Sequence, residues 1–102
     1  MNSKNLCFTE EWSLFLDRDG VISRKLPDDY VRTWEEFRFM DGAPEALARF
    51  SSIFGRIFIV SNQQGVGKGL MSRETLDMID ARMKADIADH GGRIDASYYS
   101  PY

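Results

Sequence analysis

The sequence predicts an α/β fold in which a Rossmann-like parallel sheet is flanked by helices. Three short apolar runs alternate with two longer segments whose apolar residues recur at helical spacing. Polar residues follow the first two apolar runs directly, as is typical of strands that end at a binding crevice. The order strand, helix, strand, helix, strand implies right-handed crossovers and a parallel sheet. A chain of 102 residues corresponds to a single domain, 1–102.

The first predicted strand runs from Trp12 to Leu16 and is expected to be buried. Asp17 and Asp19 follow it, and Gly20 comes next. A strand that ends in this way directs both carboxylates beyond its carboxyl end, where ligands bind in open α/β sheets. One carboxylate can attack while the other moves protons, and both can share a cation. The alternative is a simple turn, because aspartate and glycine are common turn residues.

A long mixed connection over residues 21–40 separates this strand from the first helix. A connection of this length without one regular pattern is typical of a functional segment or a small lid, and we interpret it as flap-like. It carries Arg24, Lys25 and Arg32. These cations are either solvated surface charges or contacts to the far end of an anionic substrate.

The first predicted helix begins near Pro44, since proline is favoured in the first turn of a helix. Leu47, Phe50 and Phe54 recur at helical spacing, and Gly55 favours an end there.

The second apolar run, Arg56 to Val60, predicts a fully buried strand that ends at Ser61 and Asn62. A hydroxyl group and backbone N–H groups at such a turn could hold phosphate oxygens. An ordinary turn with a helix cap is the alternative. Because parallel strands end at the same edge of a sheet, these polar groups and the two aspartates are expected to face one crevice.

A glycine-rich turn over residues 63–69 leads into the second predicted helix, which Ser72 can cap. The turn is not a Walker A loop, because Gly69 stands where that motif needs serine or threonine. The helix has one apolar stripe, formed by Leu76, Ile79, Met83 and Ile87. A third strand is predicted from Ile94 to Tyr99.

Composition argues against some classes of protein. The net charge of −3 argues against a general nucleic-acid-binding surface. The single cysteine, Cys7, cannot form an internal disulfide, which favours a reducing, cytoplasmic environment. Neither a signal-like segment near the start nor a membrane-spanning apolar run is present in the sequence.

Two motifs resemble those of the haloacid dehalogenase (HAD) superfamily of phosphatases. Residues 15–22 resemble the first motif, and residues 59–69 resemble the second. The second motif is similar to the form found in the histidinol-phosphate and D-glycero-D-manno-heptose 1,7-bisphosphate phosphatase subgroup. The resemblance spans roughly residues 12–102 and implies a HAD-like fold.

The resemblance implies a role for each motif residue. Asp17 would be the nucleophile that forms an aspartyl-phosphate, and Asp19 would protonate the leaving oxygen and then activate water. Mg²⁺ would be held by the Asp17 carboxylate and the Asp19 backbone carbonyl. The predicted phosphate-binding residues are Arg18, Ser61, Asn62, Gln63 and Lys68.

The implied function is Mg²⁺-dependent hydrolysis of a small sugar phosphate, with D-glycero-D-manno-heptose 1,7-bisphosphate as the favoured substrate. Histidinol phosphate and a polynucleotide 3′-phosphate are the alternative substrates, and the acidic balance lowers the odds of the latter. From another class, the chain could be a non-catalytic fragment that binds phosphate or a partner.

The sequence departs from the family pattern in two places. The subgroup has a Cys-Pro-His sequence at the start of a zinc loop, where this chain has Ser100, Pro101 and Tyr102, so no structural zinc is expected. The family also supplies a lysine and further acidic residues after the third strand. We therefore expect a fragment truncated after that strand, with little or no activity alone. Its exposed strand edge would favour self-association.

Overall fold

In a computed structural model, three strands form one parallel sheet in the order β1-β2-β3. The strands are β1 (Ser13–Leu16), β2 (Arg56–Asn62) and β3 (Ala96–Ser100). The structure describes residues 12–26 and 31–101. The predicted parallel α/β sheet is therefore confirmed, with the third strand beginning two residues later than expected.

The helices are α1 (Ala43–Ile53), the short α2 (Gln64–Gly67) and α3 (Arg73–Asp89). A single 3-10 turn, Trp34–Glu36, lies in the connection after β1.

Local signals explain where the two long helices begin. Gly42 adopts a left-handed conformation, with φ of 80°, immediately before α1, and Pro44 occupies its first turn as predicted. The Ser72 side chain accepts a 3.1 Å hydrogen bond from the backbone N–H of Thr75 and so caps α3.

The glycine-rich segment after β2 forms the short helix α2 rather than a plain turn. Gly67 lies against the backbone of Pro101, so closely that a Cβ atom at position 67 would overlap the Pro101 carbonyl oxygen. The loop that follows β2 is therefore packed directly on the segment that leaves β3.

One face of the sheet, the inner face, carries the core. Ile57 and Ile59 of β2 are fully buried there, with relative exposure of 0%. The predicted stripe of α3 is buried against the same core, as is Leu47 of α1. Both long helices thus cover one face, as right-handed crossovers require for this strand order.

The large apolar side chains of the opposite face, the outer face, are those of Phe15, Phe58, Val60 and Tyr98. The ring of Phe58 lies 5.1 Å from that of Phe15 and 6.2 Å from that of Tyr98. Phe15 is 62% exposed and Val60 is 50% exposed. The prediction of a buried first strand and a fully buried second strand is therefore wrong for this face, because the helices described here lie on the other one.

Residues 1–11, which include Cys7, lie outside the described residues, as do residues 27–30 and Tyr102. Within residues 12–26 and 31–101, no helix is long and apolar enough to cross a membrane.

Candidate active site

A cleft of about 570 Å³ opens at the carboxyl ends of the strands. Asp17 and Asp19 line it after β1, and Ser61 and Asn62 line it at the end of β2. The strand register explains why these four residues lie together. Leu16 pairs with Ile59, which brings the end of β1 beside the last residues of β2. Two carboxylates, a hydroxyl group and an amide thus share one open space.

Asp17 is solvent-exposed, and its Oδ1 atom accepts a 2.8 Å hydrogen bond from the backbone N–H of Arg18. An exposed carboxylate in the cleft wall can approach a ligand without breaking a buried network. A carboxylate is one of the side chains that can act as a nucleophile in an enzyme.

Asp19 is held much more tightly. Its Oδ1 atom accepts hydrogen bonds from Ser23 Oγ at 3.0 Å and from Arg18 Nε at 3.1 Å. Its Oδ2 atom accepts one from Gln63 Nε2 at 2.8 Å. The carboxylate therefore has donors on both oxygens and a defined orientation beside the cleft.

The turn that carries Asp19 depends on Gly20, whose φ of 89° lies in the left-handed region. The Gly20 N–H donates to the Ser23 carbonyl at 2.7 Å, and the Ser23 N–H donates back to the Arg18 carbonyl at 2.9 Å. This compact turn places the Ser23 hydroxyl group beside Asp19. No motif or spacing in the sequence marks Ser23 as part of the site.

Arg18 and Gln63 were predicted to bind phosphate, but the structure places them below the cleft. Their relative exposures are 0% and 2%, and neither lines the cleft. Arg18 is instead paired with Asp19, and its Nη2 atom donates to Gln63 Oε1 at 3.1 Å. A buried guanidinium needs such partners, because burying an unpaired charge is costly. Lys68 is exposed and also lies outside the cleft lining.

Of the three cations considered as substrate contacts in the connection, Lys25 lines the cleft. Arg24 pairs with the exposed carboxylate of Asp41 at 2.8 Å, and Arg32 also lies outside the lining. The sequence could not separate these three residues, because only the path of the connection decides which of them turns inward.

Tyr99 lines the cleft but acts as a donor to the protein interior. Its hydroxyl group donates a 2.7 Å hydrogen bond to Asp80 Oδ1. Burial raises the pKa of Tyr99 well above its ordinary value, and the neighbouring Asp80 carboxylate raises it further. Tyr99 therefore stays protonated at neutral pH, and Asp80 also accepts from Ser97 and pairs with Lys84.

In the part of the chain that the structure describes, His, Cys, Asp and Glu side chains nowhere form a group of three or more that could hold a metal ion. Mg²⁺, however, is commonly bound by one or two carboxylates together with phosphate oxygens. Asp17 and Asp19 supply hard oxygen donors of that kind in one cleft. These residues fit the ion when a phosphorylated ligand completes its coordination.

Curated relatives match most of the chain. It is 42% identical over 92 residues to a D-glycero-alpha-D-manno-heptose-1,7-bisphosphate 7-phosphatase of Mycobacterium tuberculosis, a match that covers 90% of this chain and 48% of the relative. It is 35% identical over 89 residues to the beta-anomer enzyme of Pseudomonas putida, covering 87% of this chain and 50% of the relative. No protein-family model matches the sequence. The chain thus spans about half the length of the curated relatives it matches.

A solved structure agrees with these relatives. The D,D-heptose 1,7-bisphosphate phosphatase of B. bronchiseptica, solved with magnesium and phosphate, superposes with a TM-score of 0.83 at 31% identity. The match covers 88% of this chain and 50% of that one. Sequence and fold therefore point to the same group of proteins.

Proposed function

We propose that this chain carries the phosphoryl-transfer residues of a Mg²⁺-dependent phosphomonoester hydrolase of the HAD superfamily, because it resembles heptose bisphosphate phosphatases over about half of their length. One observation carries the proposal. Asp17 and Asp19 from the end of β1 line the same cleft as Ser61 and Asn62 from the end of β2.

In the proposed reaction, Asp17 attacks the phosphorus atom and forms an aspartyl-phosphate, which splits one difficult hydrolysis into two easier steps. Its exposure in the cleft wall leaves room for this approach. The bond to the leaving oxygen breaks as the bond to Asp17 forms. Asp19 gives a proton to that oxygen and later takes one from the water that releases phosphate.

The transferring group carries negative charge that must be neutralised. Ser61 and the backbone of Asn62 are proposed to donate hydrogen bonds to its oxygens. Bound Mg²⁺ would supply positive charge at the same group, held by the Asp17 carboxylate and the Asp19 backbone carbonyl. Among the described residues, no backbone N–H outside the helices and strands donates to that carbonyl oxygen.

For the substrate we propose a small sugar bisphosphate, favoured by the names of the relatives. Lys25 lines the cleft together with the two aspartates and supplies a cation for a second phosphate. Residues 21–40 would then be a flap anchored by buried apolar side chains. Ile22 and Phe37 are 2% and 4% exposed, and Val31 both packs in the core and lines the cleft.

The test is phosphate release from D-glycero-D-manno-heptose 1,7-bisphosphate by the protein as its gene encodes it. We expect Asp17→Asn to lower kcat/KM by about 10³-fold or more, because the nucleophile is lost. Asp41→Asn is the matched control, since its carboxylate is 94% exposed and outside the cleft. Equal turnover by the wild type and Asp17→Asn would end the assignment. Histidinol phosphate and an oligonucleotide 3′-phosphate complete the substrate panel.

A second candidate is phosphate binding without turnover by these 102 residues alone. It is favoured because the described residues bring only two acidic side chains to the cleft. We expect the isolated chain to bind inorganic phosphate in calorimetry while releasing almost no product from an aryl phosphate with Mg²⁺. Brisk turnover by the isolated chain would contradict this expectation.

A further inference from the structure

Arg18 is an unusual residue for this position, because it is a charged side chain with relative exposure of 0% directly between two cleft aspartates. Building on the proposed function, in which Asp19 transfers protons, we propose that Arg18 and Gln63 are positioning residues. They hold the Asp19 carboxylate beside the cleft, from where it protonates the leaving oxygen once one of its hydrogen-bond donors has given way to the proton. Neither of them touches the substrate.

The contacts fix the carboxylate at both oxygens. Arg18 reaches Oδ1 of Asp19 through Nε at 3.1 Å and Oδ2 through Nη2 at 3.3 Å. Gln63 Nε2 donates to the same Oδ2 at 2.8 Å, and the Ser23 hydroxyl group donates to Oδ1 at 3.0 Å. Rotation of the carboxylate would break several of these bonds at once. Correct orientation of a reacting group can raise the reaction rate by large factors. Restraint of the Asp19 carboxylate is therefore expected to favour catalysis.

Arg18 is itself immobilised. Its guanidinium carbon lies 5.9 Å from the ring centre of Phe37 and 5.7 Å from that of Tyr99. Its Nη1 atom is buried and has no hydrogen-bond partner among the residues described. A buried arginine of this kind is costly unless its charge is paired. The pairing with Asp19 offsets that cost and ties the carboxylate to the core.

Gln63 joins the ends of the two strands. Besides its bond to Asp19, its Nε2 atom lies 3.3 Å from the Ser61 hydroxyl oxygen, and its Oε1 atom accepts from Arg18. The Gln63 amide thus contacts both the Asp19 carboxylate and the Ser61 hydroxyl group and fixes their positions relative to each other. Supporting contacts of this kind keep functional side chains within the narrow geometry that chemistry requires.

The experiment compares two phosphate monoesters that differ in whether the leaving oxygen must be protonated. An alkyl phosphate requires a proton on its leaving oxygen, whereas p-nitrophenyl phosphate does not. The parameter is kcat/KM, which reports the first phosphoryl transfer. Gln63→Met, of similar volume, and Arg18→Met are measured in the protein as its gene encodes it. Arg73→Met is the matched control, because Arg73 Nε lies 3.1 Å from Asp77 on the exposed surface of α3.

We expect Gln63→Met and Arg18→Met to lower kcat/KM for the alkyl phosphate by about tenfold to a hundredfold and for the nitrophenyl ester by less than about threefold. Inhibition by inorganic phosphate is expected to change little in Arg18→Met, because the Arg18 side chain neither lines the cleft nor contacts Ser61 or Asn62. Thermal melts report folding, and Gln63→Met carries the test if Arg18→Met unfolds. Equal losses for both esters, or no loss for either, would overturn the positioning role. Absence of wild-type turnover would instead overturn the proposed function and this inference with it.

Discussion

The two faces of the sheet are built from the same strands and yet have opposite surroundings. On the inner face, Ile57 and Ile59 are fully buried under α1 and α3. On the outer face, Phe15 and Val60 are 62% and 50% exposed. Strands that are apolar on both faces are typical of sheets covered on both sides. An apolar run in the sequence therefore indicates that both faces of a strand can be buried. It does not indicate which segment, if any, packs on each face.

The largest effect is expected from truncating the inner core. Ile79→Ala should lower the free energy of unfolding by about 2–5 kcal/mol, because Ile79 is fully buried and its loss leaves a cavity. Urea unfolding of the two proteins measures the difference. Met78→Ala is the control, since Met78 is the preceding residue of α3 and is 42% exposed. Equal losses for the two variants would contradict the assignment of α3 to the inner face.

A smaller effect is expected from Tyr99→Phe, which removes the hydrogen bond to Asp80. The free energy of unfolding should fall by about 1 kcal/mol at neutral pH. Tyr98→Phe is the control, because Tyr98 lies on the outer face and is 58% exposed. A larger effect of Tyr98→Phe would reverse our assignment of the two tyrosines.

The same tyrosine predicts a pH dependence. Because the pKa of Tyr99 is raised in the folded state, its contribution is fully present below the unfolded value of about 10 and is lost as the pH rises above it. The wild type should therefore lose more stability between about pH 10 and pH 12 than Tyr99→Phe does. Parallel denaturation curves over that range would contradict the prediction.

The smallest effect on stability is expected on the outer face. Phe15→Thr should change the free energy of unfolding by no more than about 0.5 kcal/mol, because Phe15 is largely exposed and threonine suits a strand. A cost of several kcal/mol would show that another segment or molecule covers this face.

Self-association through β1 remains a prediction, and the same variant tests it. β1 is an edge strand of the sheet described here, and an apolar edge strand favours pairing with another chain. Sedimentation should show a smaller fraction of dimer for Phe15→Thr than for the wild type. A strictly monomeric wild type would contradict the prediction.

The sequence predicted features that depend on local signals. The stripe from Leu76 to Ile87 is buried as expected, since helical spacing alone decides which residues share a face. Pro44 and Ser72 marked the beginnings of α1 and α3 for equally local reasons. The meeting of Asp17 and Ser61 in one cleft also followed, because parallel strands end at one edge.

Features that depend on long-range contacts could not be predicted. Gln63 donates a hydrogen bond to Asp19 across 44 residues, and only the assembled sheet shows that its amide is buried beside that carboxylate. Arg93 is a second case. It donates to the carbonyl oxygens of Phe54 and Gly55, just beyond the end of α1, from 38 to 39 residues away. No periodicity or spacing indicates such a contact.

The close approach of Gly67 to Pro101 has a consequence for the shape of the cleft. The neighbouring Ser100 and Tyr99 belong to the cleft wall, whereas position 67 does not. Even a methyl group at position 67 would have to displace the backbone just beyond β3. The lack of a side chain at position 67 therefore allows the backbone after β3 to keep its place next to the cleft wall.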